Sequence, residues 1–432
     1  IIMSTPSKRV AFHTLGCKLN YSETSTISRD FILNGFKKVN FKDIADIYVI
    51  NTCSVTENAD KEARKLIRQA KRRNQNSSIV VIGCYAQLQP GKINSIDDVD
   101  LVLGTNEKFN ILKHLDKLDL SQNGTEIHRE IKNSKVFHSS YSLDERTRAY
   151  LKVQDGCDYT CSFCTIPLAR GKSRSDSIDN TIKVAKQIAR SGKKEVVLTG
   201  VNVGDFGKKQ NESFHDLIKS LDKISGINRI RISSIEPNLI TDKIIDFCLT
   251  SKHFVPHFHI PLQSGSDRIL RLMRRRYDTK LYYDRIKKIK SVNRDTCIGV
   301  DVIVGFPGET ENDFIATYDY LNSLEISYLH VFSYSERLET DAINMDDKVS
   351  FEIKKDRSRA LHHLSNQKRI DFTNQFINSK RKVLFEYRKD GALVGHTDNY
   401  LKVHTLTNND LINQIVPVNL VENRGGFIFG EL

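Results

Sequence analysis

From Tyr150 to about residue 332, short apolar runs alternate with helical patterns, strand after strand, with no reversal between them. The runs are 149–154, 195–199, 228–233, 256–260, 297–304 and 328–332; the helical patterns lie at 178–190, 213–224, 240–250, 267–291 and 311–323. Such runs suit parallel strands buried on both faces. Six strands of this kind fall short of the eight of a complete (β/α)8 barrel, so the pattern predicts a partial, open (β/α)6 barrel.

The flanks read differently. Residues 8–16, 46–52 and 78–83 are apolar runs that end in a glycine or polar turn, and helical stretches cover 22–33 and 57–74. They predict an open parallel α/β sheet ending near Val102 or soon after. A polar stretch, 115–148, reads as a linker with at most one strand. Beyond a charged helix over 349–377, short strands follow at 383–389, 393–404, 414–421 and 427–431, with a hairpin signal at Asp390-Gly391. That predicts a small antiparallel OB-like barrel. The division is therefore 1–140, 141–368 and 369–432.

The chain carries a net charge of +13, which favours a polyanionic partner. Residues 61–73 hold seven basic residues and one acidic, residues 267–290 ten and three. In the first segment Lys61, Arg64, Lys65, Arg68 and Arg72 recur at helical spacing and share a face. The C-terminal region, 370–432, is balanced at seven against seven, so charge alone does not make it an RNA binder. The longest near-apolar stretch, Ile298 to Phe306, contains Asp301 and is far shorter than the roughly 18 residues of a membrane helix. A non-membrane, cytoplasmic protein with reduced thiols is the expectation.

Cys157-x-x-x-Cys161-x-x-Cys164 follows the first barrel strand. Three thiolates on one short loop hold three irons of a 4Fe–4S cluster and leave the fourth open to a substrate. A structural zinc site needs a fourth ligand, and neither a second Cys pair nor a histidine stands in this loop. Cys17, Cys53 and Cys84 each lie just beyond a predicted parallel strand, at the sheet edge where α/β folds place ligands. Residue pattern alone leaves two readings open for them, a converging ligand set or three buried cysteines packed as small hydrophobes. Cys248 and Cys297 fit no ligand spacing and read as core.

The segment Asp155-Gly156-Cys157-Asp158-Tyr159-Thr160-Cys161-Ser162-Phe163-Cys164, with Ile166-Pro167 and Ala169-Arg170-Gly171 after it, resembles the radical SAM methylthiotransferases. Thr14 to Asn20, Asn51 to Thr56 and Gly83 to Gln87 resemble that family's three N-terminal cysteine motifs. The resemblance implies two 4Fe–4S clusters: one on Cys157, Cys161 and Cys164 that binds and cleaves S-adenosyl-L-methionine, and an auxiliary one on Cys17, Cys53 and Cys84 that carries the sulfur. It also implies a cofactor pocket. Phe163 would lie against adenine; Thr199, Gly200, Glu236, Gln263 and Ser264 sit at strand ends; Asp301 and Gly305 belong to the glycine-containing segment Gly299 to Thr310. The C-terminal barrel resembles a TRAM domain, with Gly391, Gly395 and Asn399-Tyr400 matching its early strands and Tyr387, Tyr400 and Phe427 as candidates for stacking on RNA.

Leu15 to Asn20 and Arg274-Arg275-Arg276-Tyr277 most resemble the branch that methylthiolates C2 of N6-threonylcarbamoyladenosine beside the tRNA anticodon, at position 37. The implied partners are a tRNA anticodon stem-loop, a reductase or flavodoxin-type electron donor and a sulfur donor. Sister enzymes acting on isopentenyladenosine or on a ribosomal protein aspartate are the alternatives, and a non-enzymatic iron–sulfur RNA-binding sensor is a third. One departure is Ser335-Glu336-Arg337-Leu338-Glu339-Thr340-Asp341-Ala342, where Glu339 stands in place of the family's glycine. A positive φ there would strain the backbone.

Overall fold

The structure is a computed structural model that describes residues 7–53, 57–117, 125–127, 131, 134–144 and 147–432. The Ser54-Val55-Thr56 part of the second cysteine motif lies outside the described residues, as does much of the expected linker. Two compact units emerge: residues 1–144, 150–159 and 164–175 form the first, and residues 145–149, 160–163 and 176–432 the second.

The first unit is built on a six-stranded parallel sheet of β1 (Arg9–Thr14), β2 (Lys37–Val39), β3 (Ile47–Thr52), β4 (Ser78–Gly83), β5 (Leu101–Leu103) and β6 (Thr125–Ile127). Their order is β2-β1-β3-β4-β5-β6, so the sheet extends past Val102 by one strand drawn from the expected linker. Every residue of β3 is buried, which explains its unbroken apolar run. The helix Lys18–Leu33 packs with its polar residues inward: Asn20, Ser22, Glu23, Ser25 and Ser28 are all buried.

In the second unit the barrel strands are β7 (Arg148–Lys152, whose first residues belong here), β10 (Glu195–Thr199), β11 (Arg229–Ile232), β12 (His257–His259), β13 (Cys297–Val304) and β14 (Tyr328–Ser333). The short strands β8 (Gln154–Asp155) and β9 (Arg174–Ser175) pair with each other in the first unit. The expected arc appears as two three-stranded sheets, β11-β10-β7 and β12-β13-β14, with the parallel bridge Ile230↔Phe254 at the seam. One expectation is corrected: the single helix over 267–291 is two helices, Asp267–Leu272 and Thr279–Val292. The chain turns between them at Arg274, where φ is 56°. Ser266 and Asp278 each cap the helix that follows.

After the helix Phe351–Asn374, β15 (Lys380–Lys389), β16 (Ala392–Thr397), β17 (Lys402–Leu406), β18 (Ile415–Asn423) and β19 (Ile428–Glu431) close into a barrel of order β15-β16-β17-β19-β18. The expected strand over 393–404 is thus two strands, because Tyr400 adopts φ 68° in a turn that Thr397 and Asn399 hold by a 2.7 Å side-chain hydrogen bond. The barrel is bolted to the strands above it. Arg229 donates to the carbonyls of Lys382 (2.6 Å) and His396 (3.0 Å), Arg148 pairs with Glu386 at 2.9 Å, and Arg231 pairs with Glu195 at 2.8 Å beneath the Tyr400 ring. Tyr400 also stacks on His396, so it belongs to this joint rather than to an open RNA-stacking surface. Tyr387 is exposed, and Phe427 lies flat on His404 at 3.9 Å.

Candidate active site

Parallel pairing carries the three N-terminal cysteines to one sheet edge. Thr14 is the register partner of Asn51, and Thr52 that of Gly83, so Cys53 and Cys84 leave adjacent strands at one level and Cys17 follows β1 beside them. A Cβ added at Gly16, where φ is 94°, would lie 2.6 Å from Cys53 Cβ and 2.9 Å from its Sγ. Only glycine permits this approach of the Cys17 loop to Cys53. Asn20 ties the same loop down by donating to the Leu15 and Thr52 carbonyls at 3.0 and 3.1 Å. Cys17 is exposed and stands at the N-terminus of the helix Lys18–Leu33 without a side-chain capping bond; Cys53 and Cys84 are buried. None of the three is in a disulfide. Burial pushes the Cys84 thiol up, while Arg170 and Lys108 pull the other way.

Beneath this edge lies an ion cluster that sequence reading missed. Glu23, fully buried, accepts from Lys108 at 2.6 Å, Lys152 at 2.9 Å and Arg170 at 3.1 Å. Asp155 accepts from Lys152 at 2.7 Å, Arg170 at 3.0 Å and Arg174 at 3.2 Å. Four cations face two carboxylates, so the cluster carries an excess of positive charge. Burial opposes the ionisation of Glu23, but Arg170, Lys108 and Lys152 overcome it and hold the carboxyl far below the usual range. Arg170 reaches Asn20 as well, linking the cluster to the Cys17 loop.

The Cys157–Cys164 loop straddles the partition: Cys157 and Cys164 belong to the first unit, Cys161 to the second. In the first, Cys157 N–H donates to the Gly171 carbonyl at 3.0 Å, and the Tyr159 amide approaches Cys157 Sγ at 3.4 Å. In the second, Arg275 Nη1 lies 3.1 Å from Cys161 Sγ, pairs with Glu236 and donates to Tyr277 Oη at 3.1 Å. Its side chain is only 4% exposed. Thiolate sulfur is the form that ligates iron, and N–H groups aimed at it orient the side chain. In each unit a thiol of this motif is free of a disulfide and met by an N–H group, the donor chemistry that an iron–sulfur cluster takes. Arg275 stood out in the sequence only as part of the Arg274–Tyr277 segment that resembles the family branch; its place against Cys161 was not legible.

The remaining predicted positions fall as follows. Phe163 is partly buried and packs toward Phe306 at 6.3 Å, edge to face, beside Ile303. Thr199 ends β10 and is buried, with Gly200 next to it. Glu236 is engaged by Arg275. Gln263 adopts φ 71° and bridges to β13, its N–H on the Asp301 carbonyl at 2.9 Å. Ser264 is buried against Thr317 at 3.3 Å. Asp301 pairs with His259 at 2.8 Å. Gly305 has φ 71°, and its N–H donates to Glu309 at 2.9 Å. Glu339 does sit at positive φ, 64°. Cys248 and Cys297 are buried, the latter thiol pushed up to about 11 by desolvation.

The basic segments differ in fate. The helix Glu57–Arg73 buries Ala63, Leu66, Ile67 and Ala70 and presents Lys61, Lys65, Arg68 and Arg72 outward, around a hollow also lined by Arg64 and Gln69. Much of the 267–290 charge instead meets carboxylates: Arg268 with Asp313, Arg274 with Asp341, Lys280 with Asp284 and Lys288 with Asp246.

Comparison with known proteins agrees with this geometry. Residues 151–321 match the family model of the radical SAM superfamily, and residues 9–104 match that of the uncharacterized protein family UPF0004. The threonylcarbamoyladenosine tRNA methylthiotransferase MtaB of Bacillus subtilis (strain 168) is 40% identical over 98% of this chain and 95% of its own. The chain belongs to the radical SAM methylthiotransferases. A second relative, the tRNA-2-methylthio-N(6)-dimethylallyladenosine synthase of Hydrogenobaculum sp. (strain Y04AAS1), is 33% identical over 94% of each chain. Among solved structures, the radical S-adenosylmethionine methyltransferase TsrM of Kitasatospora setae aligns with a TM-score of 0.57 at 13% identity, covering 76% of this chain and 73% of that one, a likeness of fold. As a radical SAM methylthiotransferase, the protein is a tRNA-modifying enzyme that uses S-adenosyl-L-methionine and a 4Fe–4S cluster. Among the described residues no helix is long and apolar enough to cross a membrane.

Proposed function

We propose that this enzyme attaches a methylthio group to C2 of N6-threonylcarbamoyladenosine beside the tRNA anticodon, using two 4Fe–4S clusters. The observation that carries the reading is the meeting of Cys17, Cys53 and Cys84 at the ends of β1, β3 and β4, a three-thiol set additional to the Cys157-x-x-x-Cys161-x-x-Cys164 motif. The relatives named for threonylcarbamoyladenosine support the substrate assignment. When bound, the cluster on Cys157, Cys161 and Cys164 together with S-adenosyl-L-methionine supplies a one-electron cleavage that yields a 5′-deoxyadenosyl radical.

The protein's own residues then orient and insulate. Arg275 places positive charge against Cys161 and is steadied by Glu236 and Tyr277. Arg170 and Lys108 place an excess of positive charge near Cys17 and Cys84, which favours an anionic sulfur-carrying group there. Phe163 offers an aromatic face for adenine, while the position over Gly305 is taken by the Lys354 side chain, whose Cγ would lie 2.3 Å from an added Cβ. The outward basic face of Glu57–Arg73 tracks the RNA backbone. An external one-electron donor and a sulfur donor complete the scheme.

The test is nucleoside mass spectrometry after anaerobic incubation of reconstituted enzyme with S-adenosyl-L-methionine, reductant, a sulfur source and tRNA. A methylthio mass gain on threonylcarbamoyladenosine is expected. Gain on dimethylallyladenosine alone would move the enzyme to the sister reaction. Cys161→Ala is expected to abolish 5′-deoxyadenosine formation, and Cys53→Ala to retain it while losing methylthio transfer.

A further inference from the structure

Within the second unit, the loop that leaves β13 is gripped by a helix that the scheme above does not use. Gly305 follows β13 at φ 71°, and its N–H donates to a Glu309 carboxylate oxygen at 2.9 Å. Glu309 is buried, and a buried carboxylate needs a partner. The partner comes from the helix Phe351–Asn374. Arg357, itself buried, donates from Nη1 to Glu309 Oε1 at 2.6 Å and to the Glu309 carbonyl at 3.2 Å. Its Nη2 reaches Glu311 at 3.0 Å, and the guanidinium lies over the Phe314 ring at 5.3 Å. Only a planar fork satisfies these contacts together.

Three residues earlier on the same helix face, Lys354 lays its stem over Gly305 and its ammonium over the Tyr334 ring at 5.3 Å. The helix thus holds the loop at two points, Gly305 and Glu309.

Phe306 rides between them. It is fully buried and packs edge to face on Phe163 at 6.3 Å and on Tyr334 at 5.5 Å. Met273 belongs to the same apolar cluster. Its carbonyl accepts from the Ser162 N–H at 3.2 Å, and the Leu272 carbonyl accepts from Ser162 Oγ at 2.8 Å. Ser162 and Phe163 stand between Cys161 and Cys164. Close-packed interiors transmit displacement, so a shift of Phe306 reaches the Phe163 ring directly.

We propose that Arg357 is a positioning residue for S-adenosyl-L-methionine: through Glu309 it fixes the Gly305–Phe306 backbone, and Phe306 fixes the ring of Phe163. This rests on the reading of Phe163 as the face for adenine. The test follows 5′-deoxyadenosine formation by the reconstituted holoenzyme over a range of S-adenosyl-L-methionine concentrations, and amide hydrogen exchange in the protein before reconstitution. Phe163→Ala is expected to raise KM by about 5- to 150-fold, the range of one aromatic–base stack. Arg357→Gln should raise it by about 5-fold or more, within that range, with kcat at saturation within about twofold of wild type. Arg357→Lys keeps the charge without the fork and should fall between Gln and wild type. Exchange at Gly305 to Glu309 should quicken about tenfold or more in Arg357→Gln, while the far half of the helix, 363–374, exchanges as in wild type. Should Arg357→Gln fail to fold around its unpaired Glu309, the double variant Glu309→Met with Arg357→Met removes the same tie without a buried charge and is expected to show the same rise in KM. A wild-type KM in these variants, alongside a raised KM in Phe163→Ala, overturns the inference alone. So does a fall in kcat with KM unchanged, the mark of a purely structural role. A Phe163→Ala enzyme with wild-type KM overturns the adenine reading beneath it as well.

Discussion

Replacing Glu23 by Gln would test the buried ion cluster most directly. The side chain accepts bonds from three cations, at 2.6, 2.9 and 3.1 Å, with no exposure to solvent. Gln is nearly isosteric but neutral, so Lys108, Lys152, Arg170 and Arg174 would face Asp155 alone. Removing one partner from a buried ionic group costs about 3–5 kcal/mol. Lys108 sets a bound on this cost, because burial already lowers its pKa and it can release its proton. For a cooperative unit the size of the first, that corresponds to a fall in Tm of about 6–20 °C. The assay is thermal unfolding of the full chain, followed by a probe in the first unit, at several pH values. Glu23 is held below its unfolded value of about 4.3. Its ionisation therefore stabilises the fold fully above about pH 5, and that contribution is lost as pH falls toward the depressed folded value. The gap between wild type and variant should be constant near neutrality and shrink in acid. The double variant Glu23→Gln with Lys108→Met should recover part of the loss. A gap under about 2 °C, or one that does not change with pH, would refute the reasoning.

Glu339→Gly should stabilise the second unit by up to about 1 kcal/mol in denaturant unfolding, since relief at φ 64° (about 1–2 kcal/mol) exceeds the entropy glycine adds to the unfolded chain. Lys65, Arg68 and Arg72, exposed on one helix, should each lower the slope of log affinity for tRNA against log salt by about 0.7–0.9 when changed to Ala, measured by filter binding. No change of slope in the triple variant would remove this face from the RNA path.

Strands buried on both faces were the most legible part of the fold: 195–199 and 297–304 coincide with β10 and β13. Their apolar runs have a single physical cause. The break at Arg274 was hidden, because apolar spacing runs on through Met273 and Tyr277 and no glycine or proline marks the turn. The same holds at Tyr400, a residue type that rarely turns a chain. Charges were harder still. Glu23 sits on a helix whose polar face would ordinarily meet water, and its partners come from positions 108, 152 and 170. Only the tertiary fold brings them together. Arg275 was concealed in the same way, by exposed neighbours of identical type.

The joint between the C-terminal barrel and the strands above it has a mechanical meaning. Arg229 and Arg148 clamp β15 and β16 by main chain and side chain, and Arg381 reaches back to Asp295 at 2.8 Å. The small barrel is thus no swinging arm but the fixed jaw of a caliper. A nucleic acid gripped by that jaw would be measured off at a set distance from Arg275, so that helical rise along the stem would select which nucleotide arrives there.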